Sequence, residues 1–433
     1  MTLIPLAVSL SIPFVRASLS SFNETCISTL NASDSPCIGN TRTLWDVIWS
    51  CAATLFACTW TAIHPNIPGM DEGTFAIYRH RLFIMILALI APELIITWAA
   101  RQFFSARKAA DEFNAKGCMG WTVTHGFFAW MGGFQLYVSD DRKRVTLRPD
   151  ELQGFVRREL VDVPDVVEAD IGDRSKGDIL SKGIAILQLA WFVLHLIARA
   201  VQNLPVTLLE IDTLAVAALT CIAYSLWWKK PKDVGRPYVV RWRDIASPTP
   251  PLAYDNAQVG LVPGAGFSYF TYFVYPFLSL TTYEIISARD VHSRRAPSLG
   301  GYTSTHDYTT LLLGCLSGMV FGGIHLIGWY FLFQQHTEQI LWRAASIAIS
   351  CAPVFVFLFF GYRLSSVAKY LHSIVDDIIE VFLFSAMITS SFLYITARIT
   401  LIILVLLSLR SLPPGAYCTV AWTQFIPHFV TVD

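Results

Sequence analysis

Long apolar runs, separated by short polar stretches, set the pattern of this chain. Nine segments are apolar over enough length to cross a bilayer: 43–63, 82–100, 121–138, 183–203, 204–228, 261–283, 308–333, 344–361 and 381–409. A helix needs roughly 20 such residues to span the hydrocarbon core. The pattern therefore predicts an all-α fold, a polytopic transmembrane helix bundle of eight or nine spans with its N-terminus outside. Two segments are irregular. WTVTHGFFAWMGGFQLYV (121–138) is short and polar, so it either crosses or re-enters. Segment 381–409 is too long and contains Arg398, so one long span and a span to 397 followed by an interfacial helix fit equally well.

Composition agrees with this picture. Of 433 residues, 54% are hydrophobic and only 15% charged, against roughly 25% charged in soluble domains. Net charge is zero, and nothing in the balance points to nucleic acid. The first 17 residues, MTLIPLAVSLSIPFVRA, read as a signal peptide ending in Val15-x-Ala17, although no positive stretch precedes the apolar run. Segment 18–42 then reads as luminal or extracellular. It carries glycosylation sequons at Asn23 and Asn31, and Cys26 and Cys37 would pair there as a disulfide.

Basic residues test the orientation separately. With the N-terminus outside, inside segments hold 20 Lys and Arg and outside segments 10. Segment 101–120 is the misfit, because it reads as a basic amphipathic helix suited to the cytosolic face. The chain divides into three spans within 43–138, a cytosolic helical loop at 139–182, the remaining spans over 183–409, and a tail at 410–433. In the loop, nine basic and eleven acidic residues interleave as a solvated surface, and RPDELQGFVRREL (148–160) has the Pro and acids of a helix start. The Pro-rich segment 229–260 suits a chain lying at the headgroup level.

Ionisable residues within spans are costly and mark sites where something pairs with them or wets them. Glu93, His125, His195, Arg199, Glu210 and Asp212 all fall in the outer half of the membrane under this orientation. They predict a polar pocket opening outward. Arg199 and Glu210, facing each other across the 203–205 turn, are expected to form an ion pair. Pro92 frees a carbonyl next to Glu93. His325 lies in the inner half, outside that cluster. Gly314, Gly318 and Gly322 make a small-residue stripe for helix packing, within the chain or between copies. No cofactor motif or metal-ligand spacing is present. Asp376-Asp377-x-x-Glu380 resembles a magnesium-binding acidic motif, but without a second acidic motif it reads as a solvated helix start.

The stretches containing HPNIP (64–68), APELIITWAARQ (91–102), DRSKGD (173–178), FGGIHLIGW (321–329) and LRSLPPGAY (409–417) resemble a large group of uncharacterised fungal multi-spanning membrane proteins. The resemblance implies a shared fold and no particular activity. Two classes of function follow from the residues. One is a protein that passes or senses a small solute or ion, with Glu93 as the protonatable group. The other is a membrane-embedded enzyme on a lipid or isoprenoid, with Glu93 or Glu210 as general acid in the manner of membrane terpene cyclases. Membrane lipid is the expected partner, and the sequence assigns no oligomeric state.

Overall fold

The computed structural model describes residues 41–69, 72–115, 120–137, 144–175, 178–243, 295–303, 307–331, 333–364 and 373–421. The signal peptide, Asn23, Asn31, the Cys26–Cys37 pair and the 261–283 span lie outside these residues. Helix dominates the rest. In chain order the elements are α1 (Leu44–Ala62), α2 (Thr74–Ile90), α3 (Pro92–Ala115), α4 (Val123–Trp130), β1 (Phe134–Tyr137), β2 (Arg144–Thr146), α5 (Pro149–Arg157), α6 (Glu168–Arg174), α7 (Asp178–Val201), α8 (Leu208–Leu226), β3 (Tyr238–Arg241), α9 (Asp307–His325), α10 (His336–Leu364) and α11 (Ser373–Ser408). Five stretches are long and apolar enough to cross a membrane: Lys182–Val201, Leu208–Leu226, Tyr308–Tyr330, His336–Phe359 and Val381–Ser408. The α2–α3 pair is a sixth candidate if counted as one span.

Local chemistry sets the helix ends. Thr43 and Asp46 form a capping box at the start of α1, with Thr43 N–H donating to Asp46 Oδ2 at 2.7 Å and Asp46 N–H to Thr43 Oγ1 at 3.2 Å. The helix stops at Ala62, just before His64-Pro65, because the residue preceding a proline is pushed out of the α region. Thr207 and Glu210 repeat the box on α8. Arg42 meets Glu210 at one end of the α1/α8 pair, and His64 meets Lys230 at the other. We call these the Glu210 end and the Lys230 end.

Two expected spans are corrected, and a third takes the longer of its two expected forms. The 82–100 span is broken at Ala91, and α2 and α3 meet at a bend of 115°. Pro92 has no N–H to continue the ladder of α2, while its fixed φ suits the first turn of α3. Arg81 of α2 bonds Asp233 and the Trp60 carbonyl, and Gln102 of α3 bonds Lys230. Both limbs of this hairpin therefore root at the Lys230 end. Segment 121–138 is the eight-residue α4 followed by β1, and eight residues rise only about 12 Å. Segment 381–409 belongs to one continuous 36-residue helix, α11, in which Arg398 is buried without breaking the turn pattern. Asp376, Asp377 and Glu380 lie in its first turns.

The all-α expectation also misses a small sheet of order β2-β1-β3, with β1 antiparallel to β2 and parallel to β3. Together with α4, α5 and α6 it encloses a second core of Phe113, Trp121, Phe128, Phe134, Leu152, Phe155 and Trp242. Gly126 makes this docking possible, since a Cβ there would run into the Ala106 carbonyl of α3.

The main core joins α2, α3, α8, α9, α10 and α11 around Trp98, Trp227, Phe321, Trp342 and Leu401. The glycine stripe of α9 is spent inside the chain. Gly314 faces Thr97 of α3, Gly318 faces Pro353 of α10, and Gly322 faces Ser350 of α10. Apolar side chains point outward along α11, among them Phe382, Phe392, Leu393, Ile399 and Leu406.

Candidate functional site

The six expected pocket residues do not share one void. They separate into three environments, and three residues outside the expected set complete the one around Glu93.

At the Glu210 end, both arginines and the carboxylate have hydrogen-bond partners. Glu210 accepts from Thr207 N–H at 2.8 Å, from Thr207 Oγ1 at 3.0 Å and from Arg42 NH1 at 2.7 Å. The expected Arg199–Glu210 ion pair is thus replaced by Arg42–Glu210. Arg199, fully buried, donates instead to the carbonyls of Pro205, Gly415, Ala416 and Cys418. Arg42 also binds the Ala416 carbonyl, and Gln202 exchanges two bonds with Ala421. The charged neighbours of His195 are Glu210, Arg42 and Arg199. Cys418 is disulfide-bonded. This is a clamp that fastens the tail after α11 to the start of α1.

His125 lies elsewhere. Thr122 N–H donates to its Nδ1 at 3.1 Å, so its proton is on Nε2, which donates to the Val166 carbonyl at 2.8 Å. The ring ties α4 to the segment before α6. Glu168 beside it is held below the usual carboxylate range by the Thr124 hydroxyl, assisted by Lys229.

Glu93 sits at the apex of the α2–α3 hairpin, 8% exposed. Ending α2 at Ala91 leaves carbonyls without helix donors. Arg398 of α11 takes two of them, its Nε bonding Ile90 O at 2.7 Å and its NH2 bonding Leu89 O at 3.0 Å. The guanidinium lies 3.6 Å over the Phe321 ring. Arg398 and Tyr394, one helical turn apart on α11, are the polar neighbours of Glu93. Glu93 Oε2, Tyr394 OH and Arg398 NH1 are all buried without a hydrogen bond of ordinary geometry, although the Glu93 carboxyl and the Tyr394 hydroxyl interact with each other. Such imperfectly satisfied polar atoms at one helix break are costly unless a mobile species meets them.

Asp212 and His325 extend this centre, contrary to the expectation that His325 stands apart. His325 Nε2 lies 3.3 Å from Asp212 Oδ1, and its Nδ1 lies 2.8 Å from the Phe321 carbonyl. A carbonyl only accepts, so Nδ1 carries a proton. The contact at Nε2 then holds a second proton, on the imidazole or on the carboxyl. Arg398 acts electrostatically on Asp212 as well as on Glu93. One arginine thus couples two acidic sites on different helices.

Sequence reasoning missed Tyr394 and Arg398 as members of this centre, and treated Arg398 as a disruption. The available signal was the lone cation in an otherwise uncharged apolar run, which calls for a buried partner. A void of about 10 Å³ beside Pro92, lined by Thr59, Ile63, Ala88 and Thr220 among others, has room for about one water.

No curated protein and no solved structure matches the chain. A family model does match, over residues 14–248 and 269–429, and the chain therefore belongs to DUF8562, a family of unknown function.

Proposed function

We propose that this is a multi-pass membrane protein that passes or senses protons through the centre formed by Glu93, Tyr394, Arg398, Asp212 and His325. The observation that carries the reading is the set of three buried polar atoms, on Glu93, Tyr394 and Arg398, without hydrogen bonds of ordinary geometry at a broken helix. Broken helices with polar side chains at their break are how transport proteins build ion sites away from water. A Glu beside a Tyr and an Arg, coupled through that Arg to an Asp–His pair, supplies several positions for one exchangeable proton.

In this reading α1, α7, α8, α9, α10 and α11 cross the bilayer, and the α2–α3 hairpin re-enters it from the Lys230 end. The disulfide at Cys418 supports an oxidising compartment at the Glu210 end. The excess of Lys and Arg near the Lys230 end supports a cytosolic setting for the sheet subdomain. Segment 101–120, awkward in a simple up-and-down topology, then lies on the cytosolic side, where its charges belong. Lipid surrounds the outward apolar faces.

The test is reconstitution into liposomes with an internal pH dye and an imposed potassium diffusion potential. The parent should acidify or alkalinise the lumen, and Glu93→Gln and Tyr394→Phe should slow this by about tenfold or more. A sensor without flux would still show a carboxyl infrared band that responds to pH in the parent and is missing in Glu93→Gln. Absence of both flux and band would overturn the proposal.

A further inference from the structure

A second buried charge sits beside the middle of α3, and its surroundings differ in kind. Lys230 is 1% exposed. Its Nζ is bonded to the His64 carbonyl, to Gln102 Oε1 at 2.9 Å and to Asn66 Oδ1 at 3.1 Å. The faces of Trp98 and Trp227 lie 5.3 and 5.2 Å away, within cation–π range. Among the described residues, no carboxylate pairs with it.

The orientation of both amides is fixed by their other partners. The Trp227 indole, which only donates, bonds Gln102 Oε1 at 2.9 Å. Gln102 Nε2 donates to the Gly300 carbonyl at 2.7 Å, and Asn66 Nδ2 donates to the Pro297 and Gly300 carbonyls at 2.8 and 3.1 Å. Both amide oxygens must therefore face Nζ. The Trp98 indole is held by the Gly300 carbonyl at 3.0 Å. Three acceptors, none able to donate, require three hydrogens on Nζ. An ammonium has three; a neutral amine has two and a lone pair that would face an oxygen.

Burial by itself pushes the Lys230 ammonium well down from its usual range, and the His64 imidazole likewise. His64 gives its Nδ1 proton to the Ala62 carbonyl at 2.7 Å and adds no negative charge. The opposing force is the ring of oxygen dipoles and indole faces, gathered from the HPNIP loop, α3, the end of α8 and the 297–302 segment.

We propose that this cage is a binding site for a primary ammonium ion, occupied in the resting protein by Lys230 as a tethered ligand. The site rests on atoms separate from the Glu93 centre and stands or falls without it. An apolar pin would need no acceptors on three chain segments, and a structural ion pair would use a carboxylate. Neutral oxygens backed by aromatic faces are instead the chemistry that recognises ammonium and alkylammonium cations.

Lys230→Ala deletes Cγ, Cδ, Cε and Nζ, the atoms of n-propylammonium, and so opens a matching vacancy. The parent, Lys230→Ala and Lys230→Met are purified in detergent with n-propylammonium chloride, 1-propanol or sodium chloride present throughout. We expect Lys230→Ala to gain about 3 °C or more in Tm with propylammonium alone. The parent and Lys230→Met should not respond. An equal response to 1-propanol, or none to any additive, would overturn the proposal. Should Lys230→Ala fail to fold, nitrogen NMR of lysine-labelled parent decides, with Lys230→Arg identifying the signal. An ammonium-type resonance at neutral pH supports the cage, and an amine-type resonance refutes it.

Discussion

Two buried arginines carry the main lesson of this molecule. Arg199, at the Glu210 end, donates to four backbone carbonyls, and the nearby Arg42 and Glu210 satisfy each other. Arg398, at the hairpin apex, also binds carbonyls, yet its NH1, Glu93 Oε2 and Tyr394 OH lack hydrogen bonds of ordinary geometry. Both sites hold a guanidinium against the carbonyl ends of chain segments. The first is closed, and closure is what a fastening needs. The second is left open, and an open polar site costs stability that only a function can justify.

Breaking the closed site should give the largest effect. Arg42→Met strands Glu210 as an unpaired buried charge and should cost about 3–5 kcal/mol, read as lost folded yield or a large fall in Tm in detergent. Arg42→Met with Glu210→Met should recover most of it. If the single variant is as stable as the parent, the contrast between the sites fails. A packing control comes next. Gly322→Ala places a methyl against Ser350 and should cost about 1–3 kcal/mol, visible in the same melt with no change in proton dependence.

The open site should answer in the opposite sense. Glu93→Gln removes a charge that lacks a complete partner set, so stability should change by less than about 1 kcal/mol while proton flux falls. A destabilisation matching that of Arg42→Met would mean that the site is another fastening. The smallest effect belongs to the sheet subdomain. Glu168 is held low chiefly by Thr124, so its contribution is present above the ordinary carboxylate value of 4.5 and fades as pH falls through the lowered value. Thr124→Val should raise the Glu168 pKa, followed by NMR titration, and should change stability by only about 0.3 kcal/mol because the carboxylate is partly screened by water.

The apolar pattern made the long helices legible, and Pro149 with the acids after it marked where α5 begins. It did not reveal the hairpin, because a re-entrant pair and a single span have the same hydropathy, and Pro92 marks a break without giving its angle. The sheet was invisible for a related reason. Phe134 and Leu136 alternate with Gln135 over only four residues, too short a run to separate from the end of an apolar helix. Depth along the spans brought Glu93 and Glu210 together on paper. Depth carries no information about azimuth, and Glu210 turns toward Arg42 while Asp212, two residues on, turns toward His325. Arg398 was legible as an oddity, and its partners were not, since they lie some 300 residues away in sequence.

The α2–α3 hairpin also has a mechanical consequence. Its limbs leave the bundle through the same face, one tied to Asp233 and the other running directly into the aromatic core beneath the sheet. A tilt of that sheet module would swing the apex like the far end of a lever. Glu93 would then change neighbours while the surrounding helices stayed where they were.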